Sequence, residues 1–151
     1  MITGTHDMLD TLNHVGLTVL NIDDTLAFYR QLTTVEVYEE AVHITGDGVG
    51  AVIDVIKPDY KSCMVRIGRR DFELIEHYSS KGKHIVTHHN DSGGIHLAFM
   101  VNNIDEIFAR VKAMGITPTT EEPYTARELE GYRAFFFRDI NDIQIEIGQL
   151  H

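Results

Sequence analysis

The sequence predicts an α+β fold, in which two βαβββ modules form one cupped mixed sheet with helices on its outer face. Two observations predict this fold: a segment recurs at an offset of 82 residues, and each copy carries the same order of strand and helix patterns. The 151 residues suit one domain made of two small modules, and 43% hydrophobic residues are enough for a packed interior. We expect the modules at residues 12–78 and 94–150, together forming one domain.

The repeat is clearest where a strand pattern leads into a helix pattern. The residues that follow His14 match those that follow His96, and six positions are identical, counting the two histidines. The ends of the halves also match, since Phe-Glu-Leu at 72–74 corresponds to Ile-Glu-Ile at 145–147. The same residue types recur in the same order at both ends, which favours duplication of one unit over coincidence.

Each module begins with a strand and a capped helix. Val15, Leu17 and Val19 alternate with polar or small residues, as in a strand with one buried face. Asn21 and Asn103 are well placed as helix N-caps, and acidic residues follow both near the positive end of the helix dipole. In the second module the apolar residues then fall at helical spacing: Ile104, Ile107, Phe108, Val111 and Met114.

Three strand-like segments follow the helix in each module, and Gly115 is the predicted stop of the second helix. In the first module these strands are predicted at 35–42, 63–67 and 72–78. In the second module they are predicted at 116–119, 132–138 and 143–147. The segments at 79–93 and 120–131 are predicted polar loops, and the second is long enough for a lid.

Composition and charge exclude several classes of protein. The 13 Lys and Arg against 23 Asp and Glu give a net charge of −10 without the basic stripe of a nucleic-acid groove. No apolar run approaches the ~20 residues of a membrane span, and the polar first ten residues lack a secretory signal. The single cysteine, Cys63, fits a reducing compartment. We therefore expect a cytoplasmic protein with a small-molecule substrate and neither nucleic acid nor membrane as partner.

Four polar residues lie on strand faces opposite the predicted core. His14 and His96 belong to the first strand of their modules, whereas Glu73 and Glu146 lie between apolar residues of the last strands. If the modules form one concave sheet, two imidazoles and two carboxylates converge, which is costly unless a cation neutralises them. This donor set suits a divalent metal ion: Zn, Ni, Co, Fe or Mn. The predicted metal ligands are His14, Glu73, His96 and Glu146.

Further polar residues are candidates for substrate contact. They are Arg66, Arg133, Tyr132, Tyr124 and His77. Each also has an ordinary structural interpretation, because a strand arginine often pairs with a carboxylate or remains solvated. The histidines at 84, 88 and 89 lie in the polar loop between the modules and are predicted to be solvated.

These residues resemble the vicinal oxygen chelate superfamily, which includes glyoxalase I, methylmalonyl-CoA epimerase, extradiol dioxygenases, and fosfomycin and bleomycin resistance proteins. The stretches that carry the resemblance are 12–19, 72–75, 94–101 and 143–147. The resemblance implies paired βαβββ modules cupped around a divalent metal with the same four ligands, and commonly a homodimer. The family's turn before the last strand corresponds to residues 139–142, Asp-Ile-Asn-Asp, where Asn and Asp should preserve the turn.

The two acidic positions favour one branch of this superfamily. Extradiol dioxygenases lack an acidic ligand at the position of Glu73, glyoxalase I and its relatives use both acidic positions, and bleomycin resistance proteins generally lack the metal positions. The resemblance therefore implies a glyoxalase-like lyase or isomerase that stabilises an enediolate of a small oxygenated metabolite by bidentate metal chelation. Glu146 or Glu73 would transfer the proton. The alternatives are an Fe(II) extradiol-type dioxygenase and a non-catalytic protein that binds a drug or metabolite.

Overall fold

The computed structural model describes residues 11–150 and has two four-stranded mixed sheets and three α-helices in that range. The strands are β1 (Val15–Thr18), β2 (Val35–Thr45), β3 (Asp59–Ile67), β4 (Arg70–His77), β5 (His96–Met100), β6 (Tyr124–Ala126), β7 (Tyr132–Arg138) and β8 (Gln144–Gln149). The helices are α1 (Ile22–Arg30), α2 (Asp47–Ile53) and α3 (Ile104–Ala113). The predicted α+β class is confirmed. Between residues 11 and 150, no helix has the length and apolar character needed to cross a membrane.

The two sheets repeat one topology. The first has the strand order β1-β4-β3-β2, and the second has the order β5-β8-β7-β6. In both sheets the first strand of the module runs parallel to the last, and the remaining neighbours are antiparallel. The internal repeat in the sequence therefore corresponds to a repeated βαβββ order of elements.

Contacts within the chain define two compact units. Within residues 11–150, the first contains residues 11–19 together with Thr34–Ser80, and the second contains Leu20–Thr33 together with residues 81–150. Helix α1 therefore belongs to the second unit, although it follows β1 in sequence. The sequence-based module bounds, 12–78 and 94–150, stay a prediction.

The core of the first unit is one face of its sheet. Leu17 of β1 is paired with Leu74 of β4, and both side chains are buried. Val65 and Phe72 form the next buried pair between β3 and β4. Since neighbouring residues of a strand point to opposite faces, this buried face leaves Glu73 on the open one.

Helix α2 is a departure from the sequence-based expectation. The sequence analysis predicts no helix between the strands at 35–42 and 63–67, where the chain is rich in glycine and aspartate. Two glycines in seven residues lower the helix propensity of this segment, which is why periodicity did not reveal it. The helix ends at Asp54, whose φ of +54° lies in the left-handed region, and Val52 remains 84% exposed.

The second unit follows its predicted pattern more closely at α3. Asn103 caps the helix by accepting a hydrogen bond from the backbone N–H of Glu106, and Gly115 follows its C-terminus with a φ of +79°. Ile104 and Val111 are fully buried. The predicted cap, buried face and stop signal are confirmed.

The predicted strand at 116–119 is wrong. The third strand of this sheet is β6, which pairs with β7 and lies inside the predicted loop at 120–131. A single hydrogen bond from Thr119 N–H to the Phe136 carbonyl, 2.8 Å long, joins the 116–119 segment to β7. This one hydrogen bond does not make a strand, and Pro118 within the segment has no backbone N–H with which to extend the pairing.

A buried polar network joins α1 to the turn before β8. The Tyr29 hydroxyl donates to Oδ2 of Asp139 at 2.8 Å, and the side-chain amide of Asn141 donates to the Thr25 hydroxyl at 3.0 Å. Oδ1 of Asp139 accepts from the backbone N–H groups of Asn141 and Ile143 at 2.8 and 2.9 Å. The turn expected at 139–142 is confirmed, and its first residue is fully engaged in hydrogen bonds.

Asp59 organises a second polar cluster, at one end of β3. A hydrogen bond from the Ser79 hydroxyl, followed by one from His43, lowers the pKa of Asp59 from 3.8 to about 2. The lowered pKa means that the ionised Asp59 carboxylate stabilises the folded state. This stabilisation is complete above the pKa that Asp59 has in the unfolded chain, and it is lost as the pH falls through the pKa that Asp59 has in the folded protein.

Asp59→Asn is therefore expected to destabilise the protein at pH 7 and to make little difference near pH 2. Urea unfolding of the wild type and the variant at pH 7 and near pH 2 measures the difference in unfolding free energy. An equal difference in unfolding free energy at the two pH values would contradict the role of the ionised carboxylate.

Candidate metal centre

In the first unit, the parallel pairing of β1 and β4 brings His14 beside Glu73. Gly16 is directly opposite Glu73, and His14 lies two residues before Gly16, immediately ahead of β1. Nε2 of His14 is 3.5 Å from Oε2 of Glu73. Nδ1 of His14 lies 2.8 Å from the side-chain oxygen of Asn13, which accepts its hydrogen bond and leaves the Nε2 lone pair free.

In the second unit, β5 and β8 repeat this arrangement. Ala98 is directly opposite Glu146, and His96 lies two residues before Ala98. Nε2 of His96 is 3.1 Å from Oε2 of Glu146. The repeat therefore places one imidazole and one carboxylate next to each other in both units, at equivalent register positions.

The donor sets of both pairs fit a divalent metal ion. With metal–N and metal–O bonds of about 2.0–2.2 Å, two neighbouring ligands lie roughly 3.0–3.4 Å apart. The observed separations of 3.5 and 3.1 Å are close to this range. Within residues 11–150, no group of three or more His, Cys, Asp or Glu side chains is arranged to hold an ion, so the convergence of the four predicted ligands stays a prediction.

A hydroxyl group orients each carboxylate. The Ser62 hydroxyl donates to Oε1 of Glu73 at 2.5 Å, and the Tyr132 hydroxyl donates to Oε1 of Glu146 at 2.8 Å. Burial, followed by the hydrogen bond and the charge of Glu146, raises the pKa of Tyr132 to about 12. At neutral pH the phenol therefore keeps its proton and acts as a donor.

His89 is a neighbour of the second pair that sequence reasoning placed in solvent. Its ring stacks on the ring of His96 with centroids 5.5 Å apart, and Phe136 meets both rings edge-on. His89 is exposed, as predicted, but it also covers one side of a predicted ligand. No residue pattern signalled this contact, because it depends on the path of a loop.

The arginines predicted to contact substrate are held by carboxylates. Arg66 donates to Asp71 at 2.9 Å and to Glu36 at 3.2 Å. Arg133 forms a bidentate pair with Asp105 at the start of α3, with distances of 2.7 and 2.8 Å. A substrate role for either guanidinium stays a prediction and requires exchange of these partners.

The other residues predicted to contact substrate are His77, Tyr124 and Tyr132, and each has a different set of neighbours. Nδ1 of His77 lies 2.8 Å from the Ser80 hydroxyl, and its ring packs 5.0 Å from that of Tyr60. Tyr124 is 60% exposed and lines an open cleft formed by residues of the 120–128 segment. Among the predicted substrate residues, Tyr132 has a direct hydrogen bond to a predicted ligand.

Comparison with solved structures finds the same fold in several bacterial proteins. A glyoxalase family protein from Bacillus cereus is 18% identical, with a TM-score of 0.76 and 97% of each chain covered. A glyoxalase family protein from Enterococcus faecalis is 19% identical, with a TM-score of 0.63, 91% of this chain and 96% of that chain. At these identities the likeness shows the fold alone.

The fosfomycin resistance protein FosX from Listeria monocytogenes is also similar. It is 20% identical over 95% of this chain and 96% of that chain, with a TM-score of 0.61. A further FosX structure, 18% identical with a TM-score of 0.61 and 95% of each chain covered, is a complex with Mn(II) and sulfate. No curated protein matches the sequence.

The sequence also matches a family model over most of its length. That model describes the Glyoxalase/Bleomycin resistance protein/Dioxygenase superfamily, and the match extends over residues 11–147. The chain therefore belongs to this superfamily.

Proposed function

We propose that this protein is a glyoxalase-like, metal-dependent lyase or isomerase that acts on a small oxygenated metabolite. Its metal ligands would be His14, Glu73, His96 and Glu146. The observation that carries the proposal is the repeated pair, in which each unit holds an imidazole Nε2 and a carboxylate Oε2 at 3.5 or 3.1 Å. The two pairs would meet at one ion within a chain or across two subunits.

The charge of the donor set supports a divalent ion. Two carboxylates and two neutral imidazoles carry a charge of about −2, which one divalent cation balances. Imidazole and carboxylate together suit Zn, Ni, Co, Fe or Mn, and the Mn(II) complex of FosX shows that a protein of this fold binds such an ion.

The proposed reaction is proton transfer at a carbon next to a carbonyl. A bound divalent ion would supply positive charge that stabilises the substrate anion. Glu73 or Glu146 would take the proton from the substrate and return it to the same or a neighbouring carbon. The side chain of Glu146 is 15% exposed and that of Glu73 is 28% exposed, so both are partly shielded from water. Partial removal of water strengthens the attraction between these carboxylates and a bound cation.

We further propose that the protein is a homodimer located in the cytoplasm. Exposed large apolar side chains support association, and the single cysteine, Cys63, is buried, in keeping with a reducing compartment. The most exposed of these apolar side chains within residues 11–150 are Leu12, Val52, Ile56, Ile85 and Leu150. Light scattering of the purified protein should give twice the mass of the chain, and a monomer at working concentration would contradict this part.

Deuterium exchange tests the proposed activity. The wild type loaded with Mn(II), Ni(II) or Zn(II) is expected to exchange the carbon-bound hydrogens of dihydroxyacetone or hydroxyacetone in D₂O, measured by proton NMR. Removal of the metal with a chelator should abolish the exchange. Oxygen consumption with catechols by an Fe(II)-loaded sample would instead identify a dioxygenase, and a protein that retains no metal would point to a binding protein.

A further inference from the structure

The two predicted glutamate ligands share a second kind of partner. Oε1 of Glu73 accepts a hydrogen bond from Ser62, while Oε2 faces the imidazole of the same unit. Oε1 of Glu146 accepts a hydrogen bond from Tyr132, while Oε2 again faces the imidazole of its unit. Each carboxylate therefore has one oxygen held by a hydroxyl group and the other directed toward the histidine.

The two hydroxyl groups do not come from equivalent positions of the repeat. Ser62 lies two residues before Met64, which is the residue of β3 directly opposite Glu73. In β7, Phe136 is directly opposite Glu146. The position equivalent to Ser62 is therefore Ala134, two residues before Phe136. Alanine has no hydroxyl group, so the second unit obtains its donor from a different residue.

Gly148 provides the space for that donor. Ser62 is directly opposite Ile75 in the first unit, whereas Ala134 is directly opposite Gly148 in the second. A Cβ atom at Gly148 would overlap the Tyr132 hydroxyl oxygen and lie 2.6 Å from the ring carbon Cζ. Ala134 and Gly148 in the second unit thus correspond to Ser62 and Ile75 in the first. The ring of Tyr132 occupies the space that these two small residues leave.

We propose that Ser62 and Tyr132 are positioning residues that orient the two carboxylates toward the metal ion, and that Gly148 admits Tyr132 to this position. This inference rests on the proposed function. Since each hydroxyl group occupies Oε1, Oε2 remains for the ion, and each glutamate supplies a single oxygen. Coordination positions then stay free for a substrate with two neighbouring oxygens.

Calorimetric titration of the metal-free, full-length protein with Mn(II) tests the inference. Tyr132→Phe removes only the hydroxyl group and is expected to weaken binding about tenfold, as are Ser62→Ala and Gly148→Ala. Adding Ala134→Ser to Tyr132→Ala, which removes the ring from this space, should recover most of the affinity lost in Tyr132→Ala, because it restores a hydroxyl group at the position equivalent to Ser62. Tyr38→Phe is the matched control, since it removes a hydroxyl group from an exposed residue of β2 outside both pairs, and it should bind Mn(II) like the wild type.

The outcomes separate this inference from the proposed function. A wild type that binds Mn(II), with Tyr132→Phe and Ser62→Ala within about twofold of it, overturns the inference alone. A loss in Tyr132→Ala that Ala134→Ser does not recover also overturns it, because the two hydroxyl groups then do not play one role. A wild type without Mn(II) binding overturns both. Melting temperatures of the metal-free variants establish folding, and Ser62→Ala provides the test if Tyr132→Phe does not fold.

Discussion

Glu73→Gln and Glu146→Gln are each expected to abolish deuterium exchange and to weaken Mn(II) binding roughly 100-fold or more. Glutamine keeps the shape of the side chain but removes the negative charge that attracts the ion and the basic oxygen that accepts the proton. The structure gives both carboxylates the same surroundings, with an imidazole at Oε2 and a hydroxyl group at Oε1. Loss of either one should therefore disable the site.

Glu40→Gln is the matched control for these variants. Glu40 lies exposed in β2, so its substitution removes one negative charge without touching either pair. It should retain exchange activity and Mn(II) affinity. Full activity in Glu73→Gln would refute its assignment as a ligand and base, and the same result in Glu146→Gln would refute the corresponding role of that residue.

Asp139→Ala is expected to cause the largest loss of stability. The Asp139 side chain accepts hydrogen bonds from the Tyr29 hydroxyl and from the backbone N–H groups of Asn141 and Ile143. Asp139 is 5% exposed and Tyr29 is 1% exposed, so water cannot replace all of these partners. At about 1 kcal/mol or more for each unsatisfied donor, the expected loss is about 3 kcal/mol, or roughly 6–12 °C in melting temperature.

Tyr29→Phe serves as the comparison for this prediction. It removes one of the three donors to Asp139 and leaves the two backbone hydrogen bonds of the turn intact. Its loss of stability should be about 1–2 kcal/mol, clearly smaller than that of Asp139→Ala. Equal melting temperatures for the wild type and Asp139→Ala would show that the buried network contributes little.

The sequence predicts on which strand faces the four proposed ligands lie, because strand faces follow from a period of two. That all four share one ion stays a prediction. His14 directly precedes Val15, whose face is predicted to be buried, and Glu73 lies between the apolar residues Phe72 and Leu74, so both are predicted on the open face. The repeat then placed His96 and Glu146 in the same way. Neither assignment needed the lengths of the loops or the exact ends of the strands.

Features that depend on register or on loop path could not be predicted in this way. Ser62 and Gly148 matter because of the residues opposite them on neighbouring strands, and one sequence does not reveal that pairing. β6 has only three residues and lies within a polar segment. The contact of Tyr29 with Asp139 joins residues separated by 110 positions, and no local pattern encodes such a contact.

Metal stoichiometry tests most directly whether four donors share one ion. Calorimetric titration of the metal-free wild type with Mn(II) should give one ion per chain, whether the site forms within a chain or between subunits. His14→Ala and His96→Ala, which change different units, should each weaken binding of that same ion. Two independent ions per chain, with each variant losing only one of them, would contradict a shared site, as would a wild type that binds no metal.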